Sequence, residues 1–220
     1  MTIDIRLAQL MCSRLCHDLV GPAGAVNAGL ELAEEGGLDA DTLDLVTSSA
    51  AEVTRRLAFF RIAFGAAGGK TSAIGTLSLN EARSLAAEMV QGGKVTLEWP
   101  ESSHAPDSLA ADVGKVLLLM VLMAADCLPR GGTVTVHSAV LPEGAGLAVS
   151  ANGQGANLKD DLALSLEQDL SEDALSARTV HGFFAQQLAR AGGGRIETSA
   201  EEQDEIRFMA LFPKDKATPA

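Results

Sequence analysis

The chain has no tyrosine, a single tryptophan and only 4% aromatic residues in 220, which argues against recognition by stacking on bases or sugar rings. Basic residues are also in deficit: 17 Lys and Arg stand against 29 Asp and Glu, a net charge of −12. Residues 1–70 hold 6 basic and 9 acidic groups, and residues 71–220 hold 11 and 20. Neither part offers the basic platform that nucleic acid requires. Cysteine is scarce and odd in number. Cys12, Cys16 and Cys127 lie in mostly apolar helical patterns, which argues against a disulfide framework and for a reduced, cytoplasmic protein. The longest apolar run, Val116 to Ala125, is half the roughly 20 residues that span a bilayer, so no membrane segment is expected. The N-terminus, Met-Thr-Ile-Asp-Ile-Arg6, lacks the basic start and apolar core of a signal peptide.

What is present begins with two long helical patterns. The first runs from about Asp4 to Glu35 and breaks at Gly36-Gly37. The second is capped by Asp39 or Asp41 and reaches about Phe64, before Gly65 and Gly68-Gly69. Leu43, Val46, Ala50, Val53, Leu57, Phe60 and Phe64 follow one another at alternating spacings of three and four, a heptad seam. On the first helix, Ala8, Cys12, Leu15, Leu19, Pro22, Val26 and Ala33 form a similar stripe. Two matching seams make a hairpin without a closed core. A homodimer that closes a four-helix bundle would bury both; packing on the rest of the chain is the other solution. Pro22 sits in mid-helix and frees the Asp18 carbonyl one turn earlier.

The run Arg14-Leu-Cys-His17-Asp-Leu-Val-Gly-Pro22 carries the chemistry. On a wheel of ~100° per residue His17 falls opposite the stripe, with Arg14 and Gly21 on its flanks. A core histidine would lie on the stripe, so this one faces solvent. A neutral imidazole can attack phosphorus without prior deprotonation. Asp18 beside it can hold the other ring N–H, fixing the tautomer and supporting positive charge as a P–N bond forms. Small neighbours (Gly21, Gly24, Ala25) let a partner's backbone approach. Cys12, Cys16 and His17 do not converge as metal ligands, because Cys12 lies on the stripe and His17 points away. His104, His137 and His181 have no acid at catalytic spacing and read as surface or structural residues.

From about Thr76 the pattern becomes mixed. Strands are expected at Thr76–Leu79, Val95–Trp99, Thr133–Val140, Gly146–Ala151, Arg195–Thr198 and Ile206–Phe212, and helices at Glu81–Val90, Leu109–Cys127 and about Glu172–Ala191. This order suggests an α/β sandwich, one sheet covered by helices. The acidic run Glu201–Glu205 reads as a solvated turn between the last two strands, and Lys214–Ala220 as a disordered tail.

Lys115–Val136, with Pro129-Arg-Gly-Gly132, resembles the asparagine-box region of sensor histidine kinases. In that family two asparagines hold the magnesium and phosphates of ATP; here Leu119 and Met123 stand in their places and cannot ligate a hard cation. Ala151-Asn-Gly-Gln-Gly155 resembles the kinase Asp-x-Gly-x-Gly box with Ala151 in place of the adenine-binding aspartate. Thr179–Ile196 resembles the last kinase helix and its closing glycines, with Thr179 and His181 where phosphate-cradling glycines would be. His17-Asp18-Leu19 followed by Pro22 matches the kinase phosphoacceptor pattern.

A phosphoacceptor hairpin joined to a kinase-like domain without its nucleotide site resembles the ChpT-type histidine phosphotransferases of alphaproteobacteria, from about Ile5 to Phe212. Leu170–His181 also looks like that family's approach to its late helix. The resemblance implies an α+β chain: a dimerising phosphotransfer hairpin (1–70), an α/β domain like the kinase ATP-binding fold (71–213) and a tail (214–220). It implies that His17 takes a phosphoryl group from the receiver domain of a hybrid kinase (CckA-like) and yields it to response regulators (CtrA- or CpdR-like). No cofactor is expected in this chain, Mg²⁺ being supplied by the receiver. Arg14, Gly21, Arg55 and Arg56 are candidate receiver contacts, the arginines having ordinary solvated helix charges as their other reading. Two rival functions stand beside this one. One is an active ATP-dependent kinase, against which Leu119 and Met123 speak. The other is an inert dimeric scaffold or inhibitor, which has no need of a His-Asp pair.

Overall fold

Helix α1 (Ile5–Gly36) and helix α2 (Ala40–Ala63) pack as a hairpin. The structure, a computed structural model, describes residues 5–37, 39–65, 75–102, 104–167, 170, 174–200 and 202–214. The expected boundary at 70 and the tail from 215 onward lie outside them. Gly37, at φ +90°, ends α1 in the left-handed conformation that glycine adopts without a Cβ clash. Of the two candidate caps for α2, Asp39 is the one used, its carboxylate accepting from Thr42 N at 2.8 Å. The helices approach closely where a Cβ on Gly29 would collide with the Val46 side chain.

The second half holds strand β1 (Thr76–Ser78), helix α3 (Leu79–Val90), strands β2 (Val95–Glu98) and β3 (Ser108–Ala110), helix α4 (Ala111–Asp126), strands β4 (Gly132–Leu141) and β5 (Gly144–Asn152), helices α5 (Asp160–Ser165) and α6 (Val180–Ala191), and strands β6 (Ile196–Ser199) and β7 (Glu205–Pro213). Five strands form a mixed sheet in the order β2-β4-β5-β7-β6, with only the β2–β4 pair parallel. The class is α+β, as expected. Helices α3, α4 and α6 pack on one face of the sheet. Helix α4 is apolar on every side from Val116 to Ala124, and Val113 to Ala124 are buried without interruption, Lys115 among them and paired with Asp112; a helix of this kind belongs in the middle of a core. It lies against the sheet on one side and meets α2 and α3 elsewhere.

Three expectations need correction. Helix α4 starts at Ala111 rather than Leu109, because Ser108–Ala110 pairs with β1 (Leu77 opposite Leu109). Helix α6 starts at Val180 rather than about Glu172, of which 171–173 lie outside the described residues. Before Val180, the Ser176 and Thr179 hydroxyls bond to each other and to the amides of Arg178 and Ser176, competing with helical pairing. Helix α5 carries too short an apolar pattern to register as a helix.

The hairpin does pack on its own chain: Phe59, Phe60, Ile62 and Ala63 are buried in one core with α3 and α4, and Leu15 and Leu19 lean on it. The α2 seam stays partly open, with Leu43 and Leu57 exposed near its two ends. Gln186, on α6, is the polar pin of the second half. Its amide donates to the carbonyls of Leu166 and Ile196 and accepts from Ile196 N at 2.8 Å. Replacing Gln186 with Leu should strand three buried backbone groups and cost about 2 kcal/mol, measured as a lower urea midpoint with unchanged m-value.

Candidate functional site

His17 sits on the outer face of α1 with 77% of its side chain exposed. Its Nδ1 lies 3.1 Å from Asp18 Oδ1. That geometry suits Nδ1–H donating to the carboxylate, which leaves Nε2 as the unprotonated, outward-facing nitrogen. Asp18 itself is half-sunk, its side chain only 10% exposed, and its two oxygens have different partners. Oδ1 faces the imidazole; Oδ2 accepts from Arg14 Nε at 2.8 Å.

Arg14 departs from the wheel. The wheel sets it on a solvent flank, and the structure buries it. Besides Asp18, its Nη2 donates to Asp126 Oδ2 at 3.0 Å and its Nη1 to the Arg178 carbonyl at 3.1 Å. The guanidinium therefore bridges α1, the end of α4 and the turn before α6. Burial works against its charge, but Asp126 and then Asp18 outweigh that and hold it protonated above its ordinary range. Asp126 drew no notice in the sequence. Its only signal was a lone carboxylate at the end of an apolar helix, and its partner lies 112 residues away.

The backbone carbonyl of Asp18, released by Pro22, is taken up from the second helix. Arg56 Nη1 donates to it at 3.1 Å, while Nε of the same side chain donates to Glu52 at 2.9 Å. Arg55 lies alongside with its Nε buried and without a hydrogen-bond partner among the described residues. Gly21 is exposed, and a Cβ there would meet nothing within 4 Å; the strip next to His17 is bare. Of the expected set, His17, Asp18, Arg14 and Arg56 are brought together, and Gly21 lies open one turn along α1.

The positions that resemble nucleotide-binding boxes are filled with hydrocarbon. Leu119, Met123 and Ala151 are fully buried in the core, and Thr179 and His181 are buried with them. A Cβ on Gly182 would run into Ser165 and crowd Leu162, with Met123 in ordinary contact, so α5 and α6 close tightly here. The acidic turn is less free than expected: Asp204, at φ +61°, accepts from Gly155 N at 2.8 Å and its carbonyl accepts from Gly153 N. Cys12 and Cys16 are exposed and Cys127 is buried. Among the described residues no group of His, Cys, Asp or Glu could hold a metal, and no helix is long and apolar enough to cross a membrane.

The helical hairpin followed by this mixed sheet is a fold shared with a histidine kinase. The crystal structure of the histidine kinase ThkA in complex with the response regulator TrrA shares the fold at TM-score 0.50 and 15% identity, over 93% of this chain and 61% of that one. The resemblance to a phosphotransferase is much stronger. A 1.7 Å structure of a bacterial phosphotransferase superposes at TM-score 0.78 and 30% identity, over 96% of this chain and 98% of that one. The protein phosphotransferase ChpT of Brucella abortus (strain 2308) is 34% identical over 204 residues, 93% of this chain and 94% of that one. Residues 79–204 match the histidine phosphotransferase C-terminal domain family. The chain belongs to that family.

His181 has a stability consequence. It is fully buried, and desolvation first, with the nearby Arg14 charge second, pushes its pKa down from 6.5 to about 3. The unfolded chain takes up a proton below pH 6.5 that the folded one refuses, so this stability is complete above pH 6.5 and drains away as pH falls towards 3. Between pH 7.5 and 5 the loss should be about 2 kcal/mol. Urea unfolding at the two pH values checks this, and His181→Gln should flatten the difference.

Proposed function

We propose that His17 is the phosphoacceptor of a relay between receiver domains. What supports this reading most directly is the half-fixed imidazole: one nitrogen tied to Asp18 and the other offered to solvent on a bare helix face. In the forward step the Nε2 lone pair attacks the phosphorus of a donor's aspartyl phosphate. The P–N bond forms, the P–O bond breaks, and the electron pair returns to the donor as a carboxylate. Nδ1 keeps its proton, and Asp18 balances the positive charge that develops on the ring. In the return step an acceptor's aspartate oxygen attacks phosphorus and the electron pair goes back to Nε2. The Mg²⁺ that neutralises the phosphoryl oxygens belongs to the receiver, so this chain supplies position and nucleophile. The donor is read as the receiver of a hybrid kinase and the acceptors as response regulators, with no ATP-dependent step here: the places that would hold magnesium, phosphate and adenine are Leu119, Met123 and Ala151, all buried.

His17→Ala should abolish transfer of radiolabel from a phosphorylated receiver while leaving folding intact, since an exposed side chain adds little to packing. Asp18→Asn should slow transfer by about 10²-fold without abolishing it, as orientation is lost and the nucleophile remains. Label still passing through His17→Ala would assign the chemistry to another residue.

The acceptor hairpin is further read as the dimerising element. Leu43 and Leu57, together with Val20 and Leu32, leave exposed apolar surface along the two helices, which a second hairpin would cover by closing a four-helix bundle. Leu57→Glu should convert the protein to a folded monomer by light scattering at micromolar concentration, because an unpaired charge in such a seam costs several kcal/mol. A wild-type chain that is itself monomeric there would overturn this assembly.

A further inference from the structure

Asp126 belongs to α4, in the half of the chain that carries no acceptor, yet it is three links from the His17 imidazole. Asp126 Oδ2 lies 3.0 Å from Arg14 Nη2, Arg14 Nε lies 2.8 Å from Asp18 Oδ2, and Asp18 Oδ1 lies 3.1 Å from His17 Nδ1. Each link uses an atom different from the one that passes the constraint on. Arg14 is a rigid fork, so fixing one arm on Asp126 and another on the Arg178 carbonyl fixes where Nε points. Nε in turn decides which oxygen of Asp18 is left for the imidazole.

We infer that Asp126 is a positioning residue for phosphotransfer, acting through Arg14 and Asp18 on the tautomer and aim of His17. This rests on the reading of His17 as the acceptor. The kinase-like half then has a function that needs no nucleotide: it is the anchor that orients the acceptor. Charge supports the same conclusion. With Asp126 in place, Arg14 is shared between two carboxylates, and Asp18 keeps negative character for the ring cation that phosphorylation creates. With Asp126 neutral, Arg14 pairs with Asp18 alone and that support weakens. Arg14 is accordingly an internal strut. Each of its three nitrogens is engaged within the chain, so its work in this arrangement is internal rather than a direct contact with a receiver.

The test uses the full chain with Asp126→Asn, which preserves shape and hydrogen-bonding oxygen. Asp126 is 37% exposed, so the substitution leaves no sealed cavity. Three readouts are needed: receiver affinity by calorimetry, the rate of phosphate transfer at saturating phosphorylated receiver, and the His17 tautomer from two-bond ¹H–¹⁵N correlation. The chain has four histidines, and His17→Ala identifies the signal. The expected result is unchanged affinity, a rate lower by about tenfold, and a shift from Nδ1–H towards the Nε2–H form. Asp126→Glu, with its charge kept, should restore part of both rate and tautomer. Wild-type rate and tautomer in Asp126→Asn overturn the inference. So does a slowed variant whose tautomer is unchanged and which Asp126→Glu does not improve, since that is the behaviour of a purely structural ion pair. If wild-type protein carries no phosphate on His17, the acceptor assignment fails instead, whereas the tautomer comparison still reports on the strut.

Discussion

A guanidinium removed from water needs its charge compensated, and an uncompensated one costs several kcal/mol. Arg14 meets this demand by drawing on three separate stretches of chain: Asp18 one turn along its own helix, Asp126 at the end of α4 and the carbonyl of Arg178. Two of the three partners belong to the second half, so the same side chain ties the hairpin to the end of α4 and to the turn before α6. The ion pair thus does for orientation what the apolar contact of Phe59, Phe60, Ile62 and Ala63 does for affinity: hydrophobic burial is non-directional and holds the two halves together, while the fork fixes how they meet. Arg56 repeats the device on the other side, closing the carbonyl that Pro22 leaves open.

The residues at the box-like positions follow the same economy of burial. Oxygen ligands at 119 and 123 would need water or a cation near the middle of α4. With leucine and methionine there, the stretch Val116 to Ala124 is apolar and sits among the sheet, α3 and α6 as ordinary core. The absence of a Cβ at Gly182 lets α5 and α6 close tightly beside it.

Much of this was legible in the chain. Periodicity located both long helices to within a residue or so, because each carries several heptads and a clear cap. The His17-Asp18 pair and the carbonyl freed by Pro22 were readable because they are local. Arg14 was misplaced for the opposite reason. A helical wheel knows only its own helix, and the partner that buries Arg14 is 112 residues distant. The short elements β3 and α5 escaped because three to six residues carry too little pattern, and α6 was drawn too long because hydroxyl competition before Val180 leaves no mark on apolar periodicity.

The central claim is that Asp18 reserves Nδ1 of His17 and leaves Nε2 to react. ³¹P and ¹H–¹⁵N NMR of the protein phosphorylated by a receiver domain test it most directly, since the two phosphohistidine isomers give separate signals. The expected result is a single phosphoramidate on Nε2 of His17, lost in His17→Ala. Phosphate on Nδ1, or on any other residue, would contradict it.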